Sequence, residues 1–228
     1  MRPSQTFSIT AHSCLNPIPS CDCPTLIRSE NIKYLGVQID DGLRWDKQID
    51  ALTSRTMRLI YVFKSLRESA KFDTLKMVYY ALCQSVIGYC ITAWGGAAKS
   101  NILRVERAQR AILKVMTRKP YRFPTSELYS NCKVLTVRQL FVLRSILRTH
   151  TSLPPPNLNK RQQIITGSRH KTTFAKHQFF TLGSYMYHKI NKDLKILQLN
   201  TNAVKNKVTE WLLERDYAYT ESLLAYIT

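Results

Sequence analysis

The sequence predicts a mainly α protein: a helical bundle, preceded by a short β strand or hairpin and followed by a small helical C-terminal region. Three observations carry that reading. Beyond Leu43 nearly every strong apolar periodicity repeats at about 3.6 residues, the helical value, rather than at the strand value of about 2. Only the stretch from Tyr34 to Ile39 alternates as a strand does. Hydrophobic residues make up 44% of 228 residues, enough to bury a core and too many for a disordered chain.

Residues 1–31 are rich in Pro, Ser and Cys, and only Thr6-Phe7-Ser8-Ile9-Thr10 reads as strand. The start, Met1-Arg2-Pro3-Ser4, places no apolar core behind a charge, so no secretory signal is expected. His12, Cys14, Cys21 and Cys23 are close enough in sequence to suggest a zinc site. Cys-Xaa-Cys, however, lacks the paired two-to-four-residue spacing of ordinary zinc modules. Cys83 and Cys90 fall about two turns apart on one expected helix, too far for a disulfide. The six cysteines are therefore read as reduced thiols, which fits nucleus and cytoplasm equally, and no metal ligand is assigned.

In the next stretch Tyr34, Gly36 and Gln38 alternate with the aliphatic Leu35, Val37 and Ile39. Asp41-Gly42 has turn chemistry, and Trp45 opens a helix to Leu66 whose apolar stripe is Trp45, Ile49, Leu52, Leu59, Phe63 and Leu66. Phe72-Asp73-Thr74 offers a cap for a second helix, Leu75 to Trp94, so apolar that it is expected at the bundle centre, with its aromatics packing the core. Gly95-Gly96 closes it, and Ser100 is the expected cap of the next.

Between Asn101 and Lys119 the residues separate by face. Ile102, Val105, Ala108, Ile112 and Val115 form the apolar side, while Arg104, Arg107, Lys114 and Arg118 lie on another, with Arg110 beside them. Glu106 is the one acid in that segment, so pairing within the helix cannot neutralise the stripe, and phosphate contact is the favoured reading. Lys119-Pro120 stops the helix, and Pro124 to Leu128 starts a short one. Thr136 and Gln139 fit a capping box before Leu140 to Arg148, with Leu140, Leu143 and Leu147 as its stripe. Leu153-Pro154-Pro155-Pro156 reads as a stiff linker. Domains are accordingly expected at 1–31, 32–153 and 154–228. The last carries basic residues Arg161, Arg169, Lys171 and Lys176, an aromatic-rich segment from Phe179 to Ile190, and a helix from Asn202 to Glu214 with Val204, Val208 and Trp211 on one side.

Charge narrows the function class. Lys and Arg number 34 against 15 Asp and Glu, a formal +19, which calls for a polyanionic partner through counterion release. Nucleic acid is favoured over an anionic membrane surface, and no apolar run approaches the roughly 20 residues of a membrane span. Two-metal catalysis needs clustered carboxylates. Asp40-Asp41 does not qualify, since Asp41-Gly42 is a turn pair, and Asp46 and Asp50 open a helix where acids favour the helix dipole. No catalytic residue is assigned.

The order Tyr34-Leu35-Gly36-Val37, Ile39-Asp40, Leu43, Trp45, then Gly88-Tyr89, Ala93-Trp94-Gly95 and Arg107-Ala108-Gln109-Arg110 resembles one known family. It is similar to the part after the palm in reverse transcriptases of retrotransposons lacking long terminal repeats, of the jockey-like and R-element-like kind. The resemblance implies a primer-grip-like role for Tyr34, Leu35 and Gly36. It implies a thumb-like bundle in which Arg104, Arg107, Arg110, Lys114 and Arg118 hold an RNA/DNA template–primer duplex. The family's catalytic aromatic-Xaa-Asp-Asp motif is absent. The chain is therefore expected not to polymerise alone, to carry no cofactor itself (Mg²⁺ belonging to an intact palm), and to partner the upstream polymerase domains. The competing readings are a basic helical protein-interaction scaffold and a domesticated nucleic-acid-binding module.

Overall fold

A computed structural model describes residues 9–12, 14, 23–26, 29–152, 179–215 and 217–225. The chain divides into two compact units, Met1–Leu43 and Arg44–Thr228. Arg161, Arg169, Lys171 and Lys176, the Pro linker and Cys21 lie outside the described residues.

The first unit holds two antiparallel pairs. Strand β1 (Ile9–Thr10) pairs with β2 (Thr25–Leu26), and β3 (Asn31–Tyr34) pairs with β4 (Val37–Asp40). The single strand expected from Tyr34 to Ile39 is thus broken near its start. Leu35 and Gly36 both take positive φ, 46° and 83°, which is what a two-residue turn of the I′ kind requires. Glycine meets that demand at no steric cost, and the chain folds back. Register pairs Ile32 with Ile39 and Tyr34 with Val37, so the apolar alternation becomes one face of a hairpin. Asp41-Gly42 then forms its expected turn, closed by Leu43 N–H donating to the Asp40 carbonyl at 3.0 Å.

The described part of the second unit contains helices and no strand. Helix α1 (Asp46–Leu66) buries Ile49, Leu52 and Phe63, as its stripe predicts. The helix expected from Leu75 to Trp94 is not continuous. It runs as α2 (Phe72–Val78), a π-helical turn (Tyr79–Gln84), α3 (Ser85–Gly88), and, after a break, α4 (Ile91–Trp94). At the break Tyr89 is extended (ψ 122°) and Cys90 left-handed (φ 49°). The Trp94 indole N–H donates to the freed Tyr89 carbonyl at 3.0 Å, so the interruption leaves that acceptor satisfied. Cys83 is buried and Cys90 exposed, so the two thiols do not share a face.

Helix α5 (Lys99–Met116) starts after Ala98, with Ser100 inside its first turn and not capping it. Asn101 does the anchoring instead: its Nδ2 donates to Asp46 Oδ1 at 2.8 Å and to the Arg44 carbonyl at 3.2 Å. Helix α6 (Thr125–Cys132) follows, then α7 (Val137–Ser152), entered through the predicted capping box. Gln139 N–H donates to Thr136 Oγ1 at 3.2 Å, and Thr136 N–H to Gln139 Oε1 at 2.9 Å.

Helices α8 (Phe179–Leu194), α9 (Thr201–Leu213) and α10 (Tyr217–Ala225) pack against α7 and belong to the same compact unit. Gln139 Nε2 donates to the Leu212 carbonyl at 2.7 Å. His150 lies 2.9 Å from both the Tyr187 hydroxyl, through Nδ1, and the Leu199 carbonyl, through Nε2. A carbonyl can only accept, so Nε2 carries a proton.

Candidate nucleic-acid interface

The basic face is set by two helices running side by side in the same direction. Asn101 meets Asp46 where both begin, Arg104 meets Asp50 a turn on, and Arg118 meets Glu68 where both end. On α5, Ile102, Val105, Ala108 and Ile112 are buried towards the bundle. At 100° per residue, Arg104, Arg107, Arg110 and Lys114 fall within an arc of roughly 120° on the other side, while Arg118 lies two residues beyond the helix in a left-handed conformation, φ 53°. Four of the five therefore share one face of α5, and Arg118 stands just beyond its end.

Their electrostatic states differ. Arg104 is ion-paired with Asp50. Arg118 Nη2 donates to the Arg67 carbonyl at 2.8 Å and pairs with Glu68 Oε2 at 3.2 Å. The Lys114 ammonium donates to the Tyr121 carbonyl and sits 5.3 Å from the centre of that ring. Arg107, which is exposed, and Arg110, which is half-buried, form no ion pair among the described residues. The expectation that the stripe goes unneutralised therefore needs correcting: α5 itself lacks the acids, but α1 and the turn after it supply two. Glu106, the acid within α5, is buried.

Where α5 ends, a cleft of about 620 Å³ opens beside α1. Ile60, Ala111 and Val115 form its apolar floor, and Arg67, Lys114, Arg118 and Lys119 surround it. Tyr121, at 90% exposed, stands at its edge. Four cations face one nearby acid, Glu68, which pairs with both Arg67 and Arg118. Such a combination suits a phosphate flanked by a flat apolar group. Sequence reading passes over Arg67, Lys119 and Tyr121 because none lies on the α5 stripe; their signal is proximity to the Lys119-Pro120 helix stop.

In the first unit the hairpin places Tyr34 and Leu35 at its tip, 63% and 73% exposed, with Gly36 in the turn. A leucine at φ 46° costs about 1–2 kcal/mol relative to an ordinary conformation.

Asp46 accepts from Asn101, and Asp50 is taken by Arg104. Among the described residues no carboxylate cluster brings three candidate metal donors together.

No protein-family model matches the sequence, and no solved structure matches it. Over 136 residues the chain is 28% identical to a protein named as a probable RNA-directed DNA polymerase from transposon BS of Drosophila melanogaster. That alignment takes in 58% of this chain and 14% of the relative's length. The chain is thus similar to a segment of a transposon-encoded reverse transcriptase.

Proposed function

We propose that this chain is a template–primer-holding portion of a retrotransposon RNA-directed DNA polymerase, jockey-like in the order of its landmarks. The helical unit acts as a thumb-like bundle and the hairpin as a primer-grip-like element. The observation that carries this is the basic face of α5, four cations over one arc, continued by Arg118 and the other cations of the adjoining cleft. Phosphates replace Asp50 and Glu68 as partners of Arg104 and Arg118, while Arg107 and Arg110 have no ion pair among the described residues to displace. Contacts of this kind position a duplex without reading its bases. The strained, exposed Leu35 supports the hairpin assignment, because left-handed non-glycine residues persist where function uses them.

On this reading the chain is catalytically incomplete, and primer extension requires the palm segments of the polymerase, which become its protein partners. The test is a fluorescence-anisotropy titration of the full chain with an RNA–DNA duplex across a range of salt. Affinity is expected to fall steeply with salt and to vary little with sequence. Replacing Arg104, Arg107, Lys114 and Arg118 together by Gln should flatten the slope by about one unit per lost phosphate contact. An unchanged affinity and slope would return the stripe to an ordinary solvated face. Binding that ignores phosphate altogether would favour the scaffold reading instead.

A further inference from the structure

The pairing of β1 with β2 covers only two residues on each side, and Thr25 and Leu26 are exposed. So small a ladder buries too little to hold itself together in water. Its register, Thr10 opposite Thr25, is continued by Ala11 N–H donating to the Pro24 carbonyl at 3.0 Å. This brings His12 and Cys14, which follow β1, beside Cys23, which precedes β2. Cys14 Sγ lies 3.9 Å from His12 Nδ1 and 3.5 Å from Cys23 Sγ, and all three donor atoms fall within 4.8 Å of one another.

The sulfur–sulfur gap is far beyond a disulfide bond of about 2.05 Å. It is close to another figure. A tetrahedral zinc ion, with Zn–S about 2.3 Å and Zn–N about 2.0 Å, spaces two sulfurs about 3.8 Å apart and sulfur from nitrogen about 3.5 Å. The two gaps from Cys14 match those edges to within a few tenths of an ångström, and the third, between His12 and Cys23, is no wider than 4.8 Å. Two thiolates and an imidazole are a donor set for zinc and not for the oxygen-seeking Mg²⁺ or Ca²⁺. His12 and Cys14 are exposed and Cys23 partly so, which leaves a path for the ion.

We propose that His12, Cys14 and Cys23 form a zinc-binding site that staples the β1–β2 arm, with solvent completing the tetrahedron. The sequence pattern conceals it because the ligands come from opposite sides of a strand pairing, not from one Cys-Xaa-Xaa-Cys knuckle. The site is independent of the nucleic-acid interface and does not rest on that reading.

The test uses the full chain, reduced, in a Cys90→Ser background to remove an exposed thiol outside the site. Co²⁺ is the probe. The expected result is one Co²⁺ per chain, with thiolate-to-cobalt charge transfer and tetrahedral d–d bands, displaced by one equivalent of Zn²⁺. Cys14→Ser, Cys23→Ser and His12→Ala should each weaken binding by more than about 100-fold, since loss of a ligand exceeds the 10–100-fold cost of losing a ligand's supporting partner. Far-ultraviolet circular dichroism of the helices should stay unchanged in all three. Absence of a cobalt spectrum would overturn the proposal, as would a spectrum that survives both serine variants. A Cys14–Cys23 disulfide forming in a chain that takes up no metal when reduced would also overturn it.

Discussion

The Gln109 side-chain amide donates to the Tyr79 hydroxyl at 2.7 Å, and this bond joins α5 to the π-helical turn inside the core. The same nitrogen donates to the Leu135 carbonyl at 2.9 Å, and Gln109 Oε1 accepts from the Tyr129 hydroxyl at 2.8 Å. One buried amide thereby bonds groups from the π-helical turn, from α6 and from the segment at Leu135.

Gln109→Ala should destabilise the chain by about 1–3 kcal/mol, because it removes a partner from the buried Leu135 carbonyl and from the Tyr79 hydroxyl. Urea unfolding monitored by circular dichroism measures this. A loss under about 0.5 kcal/mol would mean that the network carries little of the stability.

Duplex binding should respond unequally across the basic face. Arg107→Gln removes a cation with no ion pair among the described residues and should lower both affinity and salt slope, by about one unit of slope. Arg104→Gln should cost less, since Asp50 already competes for that guanidinium. Asp50→Asn should tighten binding at low salt. Equal effects of the two arginine substitutions in an anisotropy titration would show that the Asp50 pair does not hold Arg104 back.

A Cβ at Gly95 would meet the Phe141 ring, 2.8 Å from its Cγ. Both residues are buried, so neither has room to yield. Gly95→Ala should therefore cost about 1–3 kcal/mol, the usual range for overpacking. Adding Phe141→Leu should relieve part of that cost, and a double-mutant cycle in urea measures the coupling. Strict additivity would locate the strain elsewhere.

Burial pushes the Cys83 thiol up to about 12 and the Tyr187 hydroxyl likewise to about 12, and it raises Tyr79 well above its ordinary value. In the unfolded chain these groups ionise near about 8.5 for Cys and about 10 for Tyr. Between those values and their folded ones, the folded chain holds more protons, so stability falls as pH rises. The contribution is complete below about pH 8 and declines towards pH 12, by about 1.4 kcal/mol per pH unit for each group in its window. Urea melts from pH 8 to 11 should show the decline, and Cys83→Val should make its onset shallower. A flat profile over that range would contradict the buried placement of these groups.

Most of the helical framework was legible in the sequence, because its signals are local. The two faces of α5, the Thr136–Gln139 capping box and the Val204, Val208 and Trp211 stripe all lie within a few residues of their partners. What escaped depends on distance or on unusual turn chemistry. The acids that pair with Arg104 and Arg118 stand 54 and 50 residues earlier in the chain, beyond any window that counts local charge. The hairpin turn was hidden because leucine is an unfavoured residue at φ 46°, so only Gly36 hinted at it. The Tyr89–Cys90 break has no proline to announce it and is supported by the indole of Trp94. Where the cations of the α5 face lie was readable; how each is already occupied was not.

The π-helical turn explains an odd spacing and fixes where the chain's length is negotiable. Leu75, Tyr79, Cys83 and Ile87 are all buried, yet they recur at every fourth residue. In a regular α-helix that spacing drifts by about 40° per step, so the last would have turned about 120° away from the first. The wider turn absorbs the drift and keeps all four facing inward. Deleting one exposed residue within it, such as Ala81, would convert the spacing to four, three, four, the rhythm of an uninterrupted α-helix. Shortening by one residue is therefore tolerable at this turn, whereas the same deletion in α1 or α5 would swing an entire buried face into solvent.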